Sequence, residues 1–327
     1  MAPIADPIVQ ADEVIQDASP ALWAALSPLG RRARQPASFL PLQTAEAKGK
    51  PFNATIGQIT DGRGDAVPLP SMAAGLSGLT SAERSQAFLY SPVEGLAELR
   101  RRWREWQRRG QPDDRPSSLP LVTCGTAHAR SLAFDLFVTE GRTVALPAPG
   151  RPGDLDLLLQ RIGARLCEVH LHDGHFDPTA LVRALLGLPD SEPGLGLLEF
   201  PREGTGYLPT GKERSALRHA LIEAADHRPL VVLVDDTWEV PTLPSPSLFW
   251  GLIGRHENLV PVKVDGADGH FGFPGGRVGF LTFPFDPGTG IAKALESKLK
   301  MILRAEVGSP SAAAQTVLLA ALPQPVL

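Results

Sequence analysis

Short apolar runs alternate with helical patterns along this chain from about residue 52 onward. Seven of these runs have the composition of buried strands: residues 121–124, 143–147, 165–171, 195–200, 230–234, 259–264 and 278–283. Parallel strands need a long crossover between them, and a helix is its usual form. We therefore expect an α/β fold built on one large, mostly parallel sheet.

Amphipathic periodicity predicts the helices between these runs. They cover residues 93–109, 125–137, 152–162, 178–186, 211–226, 289–304 and 309–322. In the first helix, the apolar stripe consists of Leu96, Leu99, Trp103 and Trp106, and the other face carries Arg100, Arg101, Arg102, Arg104, Arg108 and Arg109. A basic face beside tryptophans also occurs in nucleic-acid-binding proteins. Buried tryptophans with solvent-facing arginines are the usual arrangement of an amphipathic helix, and we expect that arrangement here.

The apolar residues divide the chain into three segments. Residues 1–50 are expected to form an N-terminal arm, with one short helix around residues 20–29 and little core of its own. Residues 51–305 carry the alternating pattern and form the main domain, and residues 306–327 contain a last amphipathic helix. The apolar face of that helix includes Val317, Leu318 and Leu322. We expect self-association or a protein partner to cover this face.

The composition excludes several classes of function. The chain is 43% hydrophobic and 21% charged, with a formal net charge of −4, so nothing general attracts nucleic acid or acidic lipid. No apolar run reaches the roughly 18 residues that a membrane span needs, and the N-terminal residues lack the pattern of a signal peptide. Cys124 and Cys167 lie in apolar runs, which favours buried, reduced thiols and a cytoplasmic location.

Two predicted strands end in residues that favour ligand binding. Gly125 and Thr126 lie between a strand and a helix, where free backbone N–H groups and the helix dipole attract an anion such as phosphate. The alternative is an ordinary strand–helix turn that binds no ligand, in which glycine and threonine are equally common. Asp235 follows the run 230–234, where a carboxylate either binds a cationic group of a ligand or caps the next element. Taken singly, these residues leave both alternatives open.

A glycine-rich segment at residues 265–280 carries the most informative motif. It reads Asp-Gly-Ala-Asp-Gly-His-Phe-Gly-Phe-Pro-Gly-Gly-Arg-Val-Gly-Phe. This segment resembles the cofactor-lysine segment of class I/II aminotransferases, which use pyridoxal phosphate (PLP). Two further stretches are similar to motifs of that family, namely Tyr-Ser-Pro-Val-Glu-Gly-Leu at residues 90–96 and Phe-Pro-Arg-Glu-Gly-Thr-Gly-Tyr at residues 200–207. The resemblance extends from about residue 53 to residue 322.

The resemblance implies the large domain of PLP fold type I, a three-layer α/β/α architecture with a mixed, mostly parallel seven-stranded sheet. By position, the cofactor-binding residues would be Tyr90, Gly125, Thr126, Asp235 and Arg277. In the family, the glycine-threonine turn and the arginine bind the phosphate, and the aspartate pairs with the ring nitrogen. The tyrosine reaches the phosphate of the neighbouring subunit. The resemblance therefore also implies a homodimer, with an amino acid or keto acid as substrate.

Several positions depart from the family pattern. Gly269 occupies the position of the lysine that holds PLP covalently. Arg151, Glu203 and Trp238 replace a ring-stacking aromatic residue, an asparagine and a tyrosine, each of which contacts the cofactor ring in the family. The resemblance further implies that residues 306–327 are a linker helix to a C-terminal small domain that is missing, together with its arginine for the substrate carboxylate.

Three functions are compatible with this pattern. The first is an aminotransferase-like pseudoenzyme that binds PLP at most non-covalently and is defective in transamination. The second is a PLP enzyme that uses His270, next to Gly269, as its base. The third is a non-catalytic dimerisation or partner-binding module. The first requires the fewest assumptions, because Lys263, the lysine nearest in sequence, lies six residues upstream on a strand and is a poor substitute.

A histidine-rich stretch follows the third predicted strand. His170 and His172 alternate along the chain, so they would lie on one face and could chelate a metal together with Asp173. A strand end that runs into a crossover loop accounts for the same residues. We therefore expect no metal site.

Overall fold

A computed structural model describes the fold of this protein. The described residues are 7–33, 40–51, 53, 55–111, 115–149, 154–170, 175, 177–187, 193–239 and 247–323. At residues 7–11 and 40 only the backbone is described. The described strands are β1 Leu121–Cys124, β2 Thr143–Ala148, β3 Arg165–His170, β4 Gly194–Glu199, β5 Leu230–Asp235, β6 Leu259–Gly266 and β7 Val278–Thr282. The helices are α1 Pro7–Ala18, α2 Pro20–Ala25, α3 Pro28–Arg32, α4 Leu40–Ala47, α5 Pro70–Ser77, α6 Ser81–Ala87, α7 Ala97–Gln107, α8 Thr126–Phe137, α9 Leu155–Ile162, α10 Pro178–Leu186, α11 Gly211–Ala225, α12 Leu248–Leu252, α13 Ala267–Phe271, α14 Gly290–Val307 and α15 Ala312–Ala321.

The seven strands form one mixed sheet in the order β1-β7-β6-β5-β4-β2-β3. β7 is antiparallel to both of its neighbours, whereas the pairs from β6 to β3 are parallel. The expected α/β architecture is therefore confirmed. The predicted strand positions agree with the observed ones to within one or two residues where both are described.

Helices cover both faces of the sheet. On one face α8, α9 and α14 pack over a core that contains Leu197, Leu233, Val262 and Leu281. On the other face α10, α11 and α12 cover the middle and far strands, and α7, α13 and α15 cover the end formed by β1 and β7. The carboxyl ends of β4, β5 and β6 meet at one edge, which is where ligands bind in open parallel sheets.

The helix α7 departs in one respect from the expected arrangement. Leu99 and Trp103 are buried as predicted, but Arg100 was expected to face solvent and is buried. Its guanidinium donates to the carbonyl of Pro120 at 2.7 Å and pairs with Glu296. A charged side chain is buried here because carbonyl and carboxylate partners replace its water.

The last helix, α15, packs within the chain itself. Val317, Leu318 and Leu322 are buried in a cluster with Met72 and Trp103. The expectation that these side chains need a partner protein for cover is therefore wrong, because α5 and α7 supply that cover.

The described residues 7–33 and 40–51 contain four helices, α1 to α4, where one short helix was expected, and Arg32 at the end of α3 contacts α9. Its Nε donates to the carbonyl of Gln160 at 2.7 Å, and Nη2 donates to the carbonyl of Arg161 at 2.9 Å. These carbonyls lie in the last turn of α9, where unpaired carbonyl groups favour a cation.

Candidate functional site

Two acidic side chains lie side by side at the carboxyl edge of the sheet. Glu199 ends β4 and Asp235 ends β5, and the parallel register pairs them directly. Both are fully buried. Burial raises the pKa of Glu199 to about 8, and the neighbouring Asp235 adds to that rise. Two buried acids in register require a cation nearby or a bound proton.

Arg130 supplies that cation from the second turn of α8. Its Nη1 donates to Oδ2 of Asp235 at 2.6 Å, and Nη2 donates to Oδ1 of Asp154 at 2.6 Å. The other oxygen of Asp235 accepts from the backbone N–H of Thr237 at 3.0 Å and from its hydroxyl at 2.5 Å. Burial alone would lower the pKa of Arg130, but the two carboxylates outweigh burial and raise it. Both oxygens of Asp235 are therefore hydrogen-bonded by the chain itself.

The predicted phosphate turn lies at the start of α8. Gly125 has a φ of 89° and precedes the helix, and an added Cβ there would lie 2.6 Å from Nη2 of Arg277. Arg277 is exposed and itself has a φ of 50°. This left-handed conformation favours glycine at residue 125, and a side chain there would in addition displace the Arg277 guanidinium. The structure thus brings the turn and Arg277 together.

A carboxylate lies at the same turn. The Thr126 hydroxyl donates to Oδ2 of Asp268 at 3.2 Å. Burial raises the pKa of Asp268, and the nearby Arg277 guanidinium opposes that rise. Oδ1 of Asp268 is buried and has no hydrogen-bond partner among the described residues. The Asp268 carboxylate therefore lies where the sequence predicts an anionic ligand such as phosphate.

Gly269 lies in α13, against the backbone that follows β5. A Cβ built on this glycine would lie 2.2 Å from the carbonyl oxygen of Thr237 and 3.1 Å from Cα of Trp238. A real Cβ does not approach a carbonyl oxygen so closely, so any larger residue requires the backbone to move.

The remaining altered positions differ in how they are placed. The ring of Trp238 packs against Gly57, where an added Cβ would lie 2.5 Å from the indole. The backbone N–H of Glu203 donates to Oε2 of Glu199 at 3.1 Å, which links the residue to the acidic pair. Arg151 lies outside the described residues. Tyr90 lies between α6 and α7 and is 92% exposed.

His270 lies among the tryptophans of α7. Its ring is edge-on to Trp103 and Trp106, with centroid distances of 5.8 and 6.2 Å. Both ring nitrogens are buried without a partner in the described part of the chain. Burial lowers the pKa of His270 to about 4, so the imidazole is neutral near pH 7. This environment does not favour the role of a general base near neutral pH.

Lys263 is buried on the opposite face of the sheet from Asp235. The register pairs it with Val234, the residue before Asp235, so alternation separates the two side chains. Its ammonium pairs with Asp236, and it lies 3.4 Å from a carboxylate oxygen of Glu239. Burial lowers the pKa of Lys263, but these carboxylates outweigh burial and raise it. The amine is therefore held protonated, and a protonated amine is not a nucleophile.

Sequence reasoning missed Arg130, Asp154 and Asp268, although two of them left a signal. Arg130 lies four residues after Thr126, on the same face of α8. Asp268 immediately precedes Gly269 in the glycine-rich segment and takes the place of the threonine that the family commonly has there. Neither signal identifies an ion pair without the three-dimensional arrangement.

Metal binding has no support within the described ranges, which contain no group of three potential protein ligands. His172 and Asp173 lie outside these ranges, and His175 instead contacts Glu213 at 3.2 Å. The described helices also include none that is both long and apolar enough to cross a bilayer.

The residues present do not fit PLP in the manner that the resemblance implies. A protonated ring nitrogen would need an oxygen of Asp235, which already accepts hydrogen bonds from Arg130 and Thr237, and the Arg130 guanidinium would repel a second cation there. A phosphate at the α8 turn would lie beside the carboxylate of Asp268, which repels it. Among the described residues at this turn, Arg277 and the backbone N–H groups favour the phosphate.

The whole fold has close counterparts among solved structures. An aminotransferase from Anaerococcus prevotii superposes with a TM-score of 0.71 at 18% identity, covering 85% of this chain and 70% of that one. The N-succinyldiaminopimelate aminotransferase from Mycobacterium tuberculosis gives 0.65 at 21% identity, with 91% and 72% covered. The kynurenine aminotransferase from Pyrococcus horikoshii, solved in complex with PMP, gives 0.61 at 17% identity, with 78% and 62% covered.

Sequence comparison identifies the family. No curated protein matches the chain. The model of the family "Aminotransferase class I and II" matches residues 50–326, which is most of the chain and confirms the resemblance seen in its motifs. The chain therefore belongs to the class I and II aminotransferase family.

Proposed function

We propose that this chain is a non-transaminating member of its family, which binds PLP at most weakly and without a covalent bond. The observation that carries the proposal is the contact at Gly269. The position of the cofactor lysine holds a glycine, and its Cα lies so close to the Thr237 carbonyl that a Cβ would be 2.2 Å from that oxygen. The local backbone thus supports glycine and excludes a longer residue.

The environment of the other candidate groups supports the same proposal. Lys263 is held by Asp236 and Glu239 on the far side of the sheet. His270 is neutral and packed between two tryptophans. Proton transfer by a positioned base typically contributes about 10²–10⁴-fold to a rate, and neither group is placed to supply it beside Asp235. The alternative of a PLP enzyme based on His270 is therefore disfavoured.

A spectroscopic titration tests the proposal. PLP is added to the pure protein, the absorbance spectrum is followed, and the sample is then dialysed. We expect a weak signal that dialysis removes, and no spectral change when amino acids are added as amino donors. A lysine-bearing aminotransferase of the same family is the positive control. Amino-donor-dependent conversion of the cofactor by this chain would overturn the proposal.

A protein–protein contact is a second candidate role, favoured by the segment before α7. Phe88 and Tyr90 are each 92% exposed and Leu89 is 60% exposed. Three consecutive exposed apolar residues are unusual on a soluble monomer and favour an interface. We infer that this segment takes part in a homodimer.

Light scattering during size-exclusion chromatography tests the dimer. Phe88→Ser combined with Tyr90→Ser should shift the wild-type dimer to a monomer. Met301→Ser is the matched control, because Met301 is a similarly exposed apolar residue, at 64%, on α14. A monomeric wild type, or a dimer that survives the double substitution, would contradict the inference.

We also infer a reducing compartment, such as the cytoplasm. Cys124 and Cys167 are both free thiols in the structure. They lie on β1 and β3, which are the two opposite edge strands of the sheet, so they cannot form a disulfide with each other.

A further inference from the structure

The carboxyl edge of the sheet holds a cation and an anion that the chain itself provides. The cation is Arg130, whose side chain is 7% exposed and joins Asp235, at 0%, to Asp154, at 23%. The anion is Asp268, which accepts the Thr126 hydroxyl hydrogen bond at 3.2 Å. Arg130 belongs to α8, the helix that begins at the predicted phosphate turn, and Asp268 contacts that helix through Thr126.

The position of Arg130 is specific. It lies four residues after Thr126, so both side chains leave the same face of α8. One guanidinium nitrogen reaches the end of β5 and another reaches Asp154, the residue before α9. The guanidinium thus lies against the carboxylate that a ring cation would contact. A guanidinium that bridges a buried and a partly exposed carboxylate by charged hydrogen bonds is a strong interaction, and a cationic ligand group would have to compete with it.

The position of Asp268 is complementary. Its carboxylate is hydrogen-bonded to the hydroxyl of the turn and lies close enough to Arg277 for that guanidinium to favour its ionised form. A dianionic ligand at this turn would have to share the Arg277 guanidinium with Asp268, and the Asp268 carboxylate would repel it.

We propose that Arg130 and Asp268 are internal counter-ions that determine which ligands bind at the carboxyl edge of the sheet, between Asp235 and the α8 turn. Arg130 takes the place of a ring cation at Asp235, and Asp268 takes the place of a phosphate at Thr126. This site therefore does not distinguish a pyridine ring from a ring without the nitrogen. The inference deepens the proposed function and rests on it for the assignment of this edge as the ligand site.

Ligand selectivity distinguishes this role from a purely structural one. If Arg130 and Asp268 only stabilise the fold, removing them changes stability and leaves ligand preference unchanged. If they are internal counter-ions, removing each one restores recognition of one part of the ligand. Arg130 would then control recognition of the ring nitrogen, and Asp268 would control affinity for the phosphate.

Two probes make the distinction measurable by calorimetry. Pyridoxine 5′-phosphate carries the ring nitrogen but no aldehyde, so it cannot react with an amine. 1-Deazapyridoxine 5′-phosphate keeps every substituent and replaces the ring nitrogen with C–H. For the wild-type protein, we expect the two dissociation constants to agree within about threefold, because Asp235 is already paired.

Substitution of each counter-ion should change one preference. Arg130→Met should tighten binding of pyridoxine phosphate on the order of tenfold relative to the deaza analogue, since Asp235 is then free for a charged hydrogen bond. Asp268→Thr should tighten binding of both probes by a similar factor and leave their ratio unchanged. Arg101→Met is the matched control, because that arginine pairs on the surface with Glu98.

If Arg130→Met does not fold, the ratio of the two dissociation constants for the wild-type protein still tests the proposal. A second variant, Arg130→Met with Asp154→Leu, removes one of the two carboxylates that the first leaves unpaired. A wild-type protein that already prefers pyridoxine phosphate by tenfold would overturn the proposal, as would a folded Arg130 variant with an unchanged ratio. Because pyridoxine phosphate forms no imine, these outcomes are independent of whether a lysine reacts with PLP, which tests the proposed function separately.

Discussion

Arg130 and Asp235 form a buried ion pair, with Nη1 of the arginine 2.6 Å from Oδ2 of the aspartate. The two side chains are 7% and 0% exposed. Asp235 is the residue that the sequence assigns to a cofactor ring, and the chain occupies it with its own cation. A change at Arg130 should therefore alter both the stability of the fold and the charge that Asp235 offers to a ligand.

Removing the cation should be costly. Arg130→Met leaves the buried Asp235 and the partly exposed Asp154 without this counter-ion, and we expect the free energy of unfolding to fall by about 3–5 kcal/mol. Arg101→Met removes an exposed pair and should cost less than about 1 kcal/mol. Urea denaturation of both variants measures the difference. Equal losses for the two variants would show that the buried pair has no special role.

Adding a single carbon at residue 269 should also destabilise the fold. Gly269→Ala places a Cβ 2.2 Å from the Thr237 carbonyl, so the backbone must shift, at a cost of about 1–3 kcal/mol. Gly275→Ala is the control, because an added Cβ there meets nothing within 4 Å. Its effect should stay within about 0.5 kcal/mol. Thermal unfolding of both variants checks the prediction, and a neutral Gly269→Ala would contradict the close contact.

His270 predicts a loss of stability in acid. Its pKa is about 4 in the folded chain, below the ordinary value of 6.5. Between these values the unfolded chain binds a proton that the folded chain does not, so the free energy of unfolding falls as the pH drops from about 6.5 towards 4. The loss should reach up to about 3 kcal/mol.

His270→Phe isolates this effect, since phenylalanine fills the same aromatic site without titrating. Denaturation curves at pH 7.5 and pH 4.5 should show a smaller acid loss for the variant than for the wild type. Parallel losses in the two proteins would place the acid sensitivity elsewhere.

Glu199 predicts the opposite trend at higher pH. Burial, together with Asp235, raises its pKa from 4.5 to about 8. The folded chain therefore holds a proton that the unfolded chain has lost, and the stabilisation declines as the pH rises through about 8. Glu199→Gln mimics the protonated acid and should remove this decline. Unfolding measured from pH 6 to pH 9 tests it, and a variant with the same pH profile as the wild type would refute the assignment.

Much of the fold could be predicted from periodicity alone. The strands β1 to β7 have strong apolar runs with clear boundaries, and their observed positions agree with prediction. The helices α1, α4, α5, α6, α12 and α13 were missed, and all of these except α1 have only five to eight residues, which give too few turns for a periodic signal. The direction of β7 follows from tertiary pairing and leaves no trace in its own sequence.

The candidate site could be predicted only in part. Gly125 and Arg277 were expected together on the basis of family motifs, and an added Cβ at the glycine would indeed meet the guanidinium. Arg130 was missed because the chain has many arginines, and periodicity does not identify the one that folds inward. Its neighbours Ala129 and Leu132 are fully buried, and a single arginine among such residues indicates a buried, ion-paired guanidinium.

No lysine of this chain is expected to form a covalent bond with PLP. Incubation with equimolar PLP, borohydride reduction and peptide mapping by mass spectrometry detect such a bond. We expect no stoichiometric reduced adduct, and in particular an unmodified Lys263, because that amine is buried and ion-paired. One reduced phosphopyridoxyl group per chain on Lys263 would show instead that this amine is free to bind the cofactor.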